Sequence, residues 1–127
     1  ADAWTGNAYL RDVRVAAEIT PLAGRSHLVS ARVQGTSRFY AAGFEGDEAV
    51  ILREDHGTSV LARAKFAPKP GRRYRLELEV TGEQIVLRID GKEVLTARDG
   101  AFRYGMAGVR MASGGRMQVH RLEIEDR

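Results

Sequence analysis

The chain has 127 residues with no cysteine, three prolines and fourteen glycines, which fits one domain able to bury a core without disulfide staples and excludes thiolate zinc sites and cysteine nucleophiles. An apolar fraction of 43% and a charged fraction of 29% mark a globular chain, and no apolar run approaches the roughly 20 residues that span a bilayer. The net charge is +3, with 17 of the 20 basic residues being arginine and 17 acidic residues interspersed among them, so this modest excess argues little for a nucleic-acid footprint, which wants clustered basic residues.

The opening stretch ADAWTGNAYL has no basic region followed by an apolar one, so no signal peptide is read there. The abrupt start at Trp4 is what a mature fragment, or one domain cut from a longer protein, would show. Val13, Val15, Ala17 and Ile19 alternate with Asp12, Arg14, Ala16 and Glu18 as a strand that Pro21 and Gly24 are expected to end. His27 to Gln34 reads as the next strand, turned by Gly35-Thr36, with Arg38 to Glu45 returning and Gly46-Asp47 turning again. Ala49 to Glu54 and Thr58 to Ala64 flank an Asp55-His56-Gly57 turn.

The rigid run Ala67-Pro68-Lys69-Pro70-Gly71 is expected to cross from one sheet to another, because proline cannot join a central ladder. Beyond it, Tyr74, Leu76, Leu78 and Val80 alternate with Arg73, Arg75, Glu77 and Glu79. Ile85, Leu87 and Ile89 follow after the Thr81-Gly82-Glu83 turn, and Asp90-Gly91 leads into Glu93-Val94-Leu95. Residues 72 to 97 therefore predict a three-stranded antiparallel meander. Met106 to Met111 and Arg116 to Glu125 close the series, separated by Ser113-Gly114-Gly115. No window carries a helical apolar stripe, so about ten short strands predict a single all-β sandwich or barrel over 1–127. The facing of two strands stays open. Val29, Ala31 and Val33 oppose Leu28, Ser30 and Arg32, while Tyr40, Ala42 and Phe44 oppose Phe39, Ala41 and Gly43. A one-residue bulge would exchange the faces and decide which of Phe39 and Tyr40 enters the core.

Several segments in order carry a resemblance. They are Trp4 and Tyr9 before the first strand, Ala31-Arg32-Val33-Gln34-Gly35 with Arg38-Phe39-Tyr40 returning, and Gly71-Arg72-Arg73-Tyr74-Arg75-Leu76. Gly82-Glu83-Gln84-Ile85-Val86-Leu87-Arg88-Ile89-Asp90-Gly91, Asp99, Tyr104-Gly105-Met106-Ala107-Gly108-Val109 and the strand Val119 to Ile124 complete it. Together they resemble the concanavalin A-like lectin/glucanase superfamily in its laminin G-like form. That resemblance implies an antiparallel jelly-roll β-sandwich of about ten strands. It also implies a bacterial domain that accompanies glycoside-processing or ADP-ribosylglycohydrolase-type hydrolases, secreted or at the cell surface. Two departures stand out. A strand that relatives carry before the tryptophan is missing, which points to truncation or to a partner supplying it. Val119-His120-Arg121-Leu122 stands where relatives have a Phe-Asp-Asn-Val-like segment, which argues against calcium there.

Glu45-Gly46-Asp47-Glu48 is the one acidic cluster. A glycosidase needs two carboxyls roughly 5 to 9.5 Å apart, but this run centres on a turn and reads as exposed. His27, His56 and His120 are far apart in sequence and offer no metal-ligand spacing. No Gly-x-Ser-x-Gly elbow is present. Arg72, Arg73, Arg75 and Arg88 form a basic stripe among Glu77, Glu79 and Glu83, for which cross-strand ion pairing is the default.

Arg32, Arg53 and Arg63 fall on strands expected in one sheet, beside Tyr40 or Phe39. Planar rings stack on sugar faces, and arginine pairs with hydroxyls, carboxylates or phosphates. The alternative is that these arginines lie over the sheet and pair with Glu48, Glu54 and Asp55. Trp4 is a sugar platform or an anchor over the open end of the sandwich. The expected function is a non-catalytic carbohydrate- or glycoconjugate-binding accessory module of a hydrolase, with Trp4, Arg32, Tyr40 and Arg53 as ligand-binding residues. The expected partners are a glycan and an adjacent catalytic domain, with no cofactor, metal, nucleic acid or membrane. The alternatives are a small 3-keto-glycoside hydrolase-like enzyme and a structural packing or oligomerisation module without ligand.

Overall fold

The computed structural model describes the backbone of residues 2–5, 11–23, 26–111 and 116–126, and the side chains of 11–21, 26–106 and 120–126. The described chain is built of strands: β1 (Asp2–Thr5), β2 (Val13–Ala23), β3 (Ser26–Gly35), β4 (Arg38–Glu45), β5 (Glu48–Asp55), β6 (Thr58–Lys65), β7 (Tyr74–Thr81), β8 (Gln84–Ile89), β9 (Lys92–Arg98), β10 (Met106–Met111) and β11 (Arg116–Asp126). They form a six-stranded sheet in the order β1-β10-β3-β4-β5-β6 and a five-stranded sheet in the order β11-β2-β7-β8-β9. Every pairing is antiparallel. The proline-rich run 66–73 joins β6 in one sheet to β7 in the other, as its composition predicts.

Alternation builds the core. Val13, Val15, Ala17 and Ile19 of β2 face inward with Tyr74, Leu76, Leu78 and Val80 of β7 and with Ile85, Leu87 and Ile89 of β8. Opposite them lie Val29 and Ala31, Tyr40, Ala42 and Phe44, and Ala49 and Ile51 from the six-stranded sheet. The outer face of the five-stranded sheet is a ladder of ion pairs. Arg88 meets Glu77 at 2.7 Å and Glu79 at 3.0 Å, while Arg14 spans Glu77 and Glu125. Such a ladder explains the arginine stripe as sheet support.

Strand β2 runs past Pro21 to Ala23, whereas the sequence predicts its end at the proline. Pairing of β2 with β7 stops at Ile19, and Pro21 pairs with Met117 of β11 while its carbonyl accepts the Gly71 N–H at 2.8 Å from the crossover run. A missing N–H is tolerated on a side with no partner strand.

The outer face of the six-stranded sheet carries a second apolar cluster of Leu28, Val33, Phe39, Ala41, Val50 and Leu52, with Met106 packed against it. Tyr40 therefore enters the core and Phe39 lies on the outer face. The phase of β3 breaks at Arg32, which has a positive φ of 50° within the register shift between Ala31 and Gly35.

Candidate functional site

The bulge in β3 sends the side chain of Arg32 between the sheets. Only 2% of it is exposed. Its Nε donates to the Arg11 carbonyl at 2.9 Å, and its Nη1 donates to the carbonyls of Gly82 at 2.7 Å and Phe102 at 2.8 Å. Asp12, 3.4 Å from Nη2, also accepts the Gly82 N–H at 2.9 Å. One guanidinium thus ties β3 to the turn between β7 and β8 and to the connection between β9 and β10.

That last connection is held by a second clasp. Tyr40 donates its hydroxyl to Asp99 Oδ1 at 2.5 Å and accepts the Phe102 N–H at 3.2 Å. Arg53, which faces Tyr40 across the β4–β5 pair, donates to Asp99 Oδ2 at 2.6 Å. The N–H of Ala101 caps Asp99 Oδ1 at 2.9 Å, and the Tyr40 and Phe102 rings meet edge-on at 5.1 Å.

Burial, and next the bond to Asp99, push the Tyr40 hydroxyl up to about 12. Burial alone would raise the Asp99 carboxyl, but the bonds from Tyr40, the Ala101 N–H and Arg53 outweigh it and hold it below its ordinary value. The lowered Asp99 group stabilises the fold fully above the ordinary carboxylate range near pH 4, and that contribution is lost as pH falls through its folded value. The raised Tyr40 group contributes fully below roughly pH 10, and loses its contribution as pH climbs through its folded value. Tyr40→Phe is expected to cost about 1–2 kcal/mol at neutral pH in urea unfolding, because the Phe102 N–H and Asp99 each lose a partner. The difference from the parent chain should shrink below about pH 4; a variant as stable as the parent at pH 7 would remove the clasp from the account.

The clasped connection presents a groove on its outer side. The groove is about 360 Å³ in volume and is lined by Val33, Gln34, Gly35, Arg38, Tyr104 and Met106. It sits where β3 ends, β4 begins and β10 begins. Tyr104 is 44% exposed, and its carbonyl accepts the Gln34 amide at 3.1 Å. The Arg38 guanidinium lies 5.2 Å from the centre of the buried Phe102 ring. Val33 and Met106 give the groove an apolar floor continuous with the outer-face cluster. A smaller hollow of about 140 Å³ lies farther along that face, between Ser26, Leu28, Phe39, Leu52 and the carboxylates Glu45 and Glu54. Glu54 already accepts the hydroxyl of Thr58.

No family model matches the chain, and no curated protein matches its sequence. Solved structures do match its shape. The carbohydrate-binding module CBM66 from Bacillus subtilis superposes with a TM-score of 0.83 at 18% identity, covering 98% of this chain and 92% of that one. Sheep galectin-11, solved with glycerol, gives 0.74 at 12% identity over 98% and 97% of the two chains. CG-16, a homodimeric agglutinin from chicken liver, gives 0.71 at 12% identity over 98% and 100%. The chain is an antiparallel jelly-roll β-sandwich.

Within this jelly roll, three of the four residues read from sequence as ligand contacts do come together, but at the inside of the bulged end. Arg32 and Tyr40 are buried, and their polar atoms are spent on the clasps. The β3 bulge turns Arg32 inward, and Tyr40 lies in the core. Arg53 reaches the rim, yet it pairs with Asp99 rather than with Glu54 or Asp55. Arg63 lies 3.9 Å from Glu48, one of the partners that the sequence proposes. Trp4 belongs to β1, opposite Gly108 of β10, and its side chain lies outside the described residues.

Glu45, Gly46 and Asp47 form an exposed turn as expected. The histidines lie on separate elements: His27 on β3, His56 in the turn before β6, and His120 on β11 at 2.7 Å from the Thr20 hydroxyl. Sequence reasoning missed Gln34, Arg38 and Tyr104 as a group. Their only signal is that each stands beside a turn, outside any alternating run.

Proposed function

We propose that this domain is a non-catalytic carbohydrate- or glycoconjugate-binding accessory module of a hydrolase. Its ligand would lie in the groove of Gln34, Arg38 and Tyr104. The observation that carries the reading is the composition of that groove. An exposed phenol, an amide and a guanidinium surround an apolar floor, which are the parts needed to stack on a pyranose face and bond its hydroxyls. The groove's volume suits one or two sugar rings. The lectin and carbohydrate-binding modules that share this fold make the same reading more natural, although fold by itself does not assign function.

A catalytic reading is disfavoured by Asp99. This carboxylate is only 10% exposed and would be the natural acid, yet it is ion-paired and held below its ordinary pKa. A general acid needs the opposite shift. Arg32, Tyr40 and Arg53 support the groove from behind. Trp4, one strand over from the Met106 end of β10, remains a proposed ligand contact at its border.

The test is a glycan array with the 127-residue chain. Binding to at least one glycan is expected, weakened at least about tenfold by Tyr104→Ala, a loss of roughly 1.4 kcal/mol. Binding that is indifferent to Tyr104→Ala would move the site elsewhere, and an array with no signal would remove the binding reading.

A further inference from the structure

We infer that the preferred ligand is an acidic saccharide whose carboxylate is received by Arg38; this rests on the groove assigned above. Arg38 is the one charged side chain among the residues lining that groove. Its guanidinium is held by packing more than by pairing. It stacks 5.2 Å from the centre of the Phe102 ring, a contact that consumes no N–H. Its one ion pair runs from Nε to Asp55 at 3.4 Å, with both side chains nearly half exposed (45% and 43%). Strong charge-assisted bonds are shorter, about 2.7–2.9 Å. Among the described residues neither Nη of Arg38 has a protein acceptor.

The arginines that serve the fold look different. Arg32 makes three bonds to carbonyls, Arg53 meets Asp99 at 2.6 Å, and Arg88 meets two glutamates at 2.7 and 3.0 Å. Each of them holds at least one N–H donor nitrogen within 2.9 Å of a protein acceptor, where Arg38 comes no nearer than 3.4 Å. Arg38 instead offers a planar fork, fixed in orientation by the ring beneath it, at the edge of a groove that has no carboxylate in its lining. A fork of this kind matches a carboxylate in two parallel bonds. A pyranose carrying that carboxylate, a uronic acid, would place its ring toward Tyr104 and its acid on Arg38. A neutral hexose would leave the same N–H groups to water.

The experiment compares oligosaccharides of galacturonate, glucuronate and mannuronate with their carboxyl-reduced, neutral counterparts, by calorimetry on the full chain. At least one acid is expected to bind about tenfold tighter than its reduced partner, in line with a charge-assisted bidentate contact. Arg38→Gln should bring the pair to within about twofold by weakening the acid alone, and added salt should do the same in part. Arg38→Lys, which keeps the charge but loses the fork, should retain only part of the preference. Thermal unfolding of both variants separates a lost ligand contact from a lost fold.

Acid and reduced forms that bind equally, or a preference that survives Arg38→Gln, would overturn the inference. Binding confined to neutral glycans on the array would overturn it while leaving the binding reading in place. Silence from both the uronates and the array would overturn both.

Discussion

Arg32→Met is expected to destabilise the domain by about 3 kcal/mol in urea unfolding, a fall of roughly 10 °C in Tm. A guanidinium exposed by only 2% is tolerated in the interior when its donors are satisfied, and Arg32 satisfies them on the carbonyls of Arg11, Gly82 and Phe102. Desolvation lowers its pKa, opposed mainly by Tyr40 and Asp12, but arginine remains charged.

Methionine fills similar volume and removes the desolvation cost. It leaves the carbonyls without their donor, at roughly 1–3 kcal/mol for each one that stays buried. It also keeps the positive φ of 50°, an unfavourable conformation for an unbranched L-residue without a fixed partner. Arg32→Lys should recover little, because one ammonium cannot reach carbonyls on three separate segments. A Met variant within about 0.5 kcal/mol of the parent would mean that the guanidinium contributes nothing net.

Gly105→Ala is expected to be at least as severe, about 4 kcal/mol. Gly105 has φ of 149°, a region that L side chains rarely adopt. A Cβ there would collide with the Arg32 carbonyl carbon and lie 2.5 Å from Val33 N and 2.6 Å from Val33 O. Those atoms cannot retreat easily, since Arg32 is pinned by three bonds and Val33 pairs with Met106. Backbone strain and overpacking therefore add. Gly46→Ala is the control. Its φ of 63° is also left-handed, but nothing lies within 4 Å of the added carbon, so roughly 1 kcal/mol is expected. Equal effects at the two sites would show that conformation, and not the close approach of Gly105 to β3, sets the cost. Any folded Gly105→Ala protein should also bind glycan weakly, because its neighbour Tyr104 lines the groove.

The sandwich was legible wherever one face of a strand is wet. Tyr74, Leu76, Leu78 and Val80 of β7 are buried in strict alternation with half-buried Arg75, Glu77 and Glu79, as the sequence predicts. Legibility failed at β3 and β4 because both faces there are apolar or small. Leu28, Phe39 and Leu52 on the outside look no different in sequence from Val29, Tyr40 and Ile51 on the inside. One dihedral at Arg32 resolves the ambiguity, and an arginine at positive φ leaves no mark in composition.

The same dihedral accompanies the burial of Arg32, which its place in the strand sequence does not reveal. Tyr40 and Arg53 meet at Asp99, and Arg32 and Tyr40 both bond the Phe102 backbone, so the three support the β9–β10 connection. The groove is lined by residues at strand ends, Gln34 and Arg38, and by Tyr104 in the β9–β10 connection. Periodicity says nothing about such positions. Asp99 stands in the resemblance, and its place before Gly100, where an aspartate commonly caps its own turn, is the physical signal for its role.

The most direct test of the central claim is a backbone and side-chain NMR titration of the chain with the best glycan from the array. Shifts are expected to concentrate at Gln34, Arg38, Tyr104 and Met106, with smaller ones at Phe102 behind them. Shifts that gather instead on the ion-pair ladder of Arg14, Glu77 and Arg88, on the opposite sheet, would contradict it.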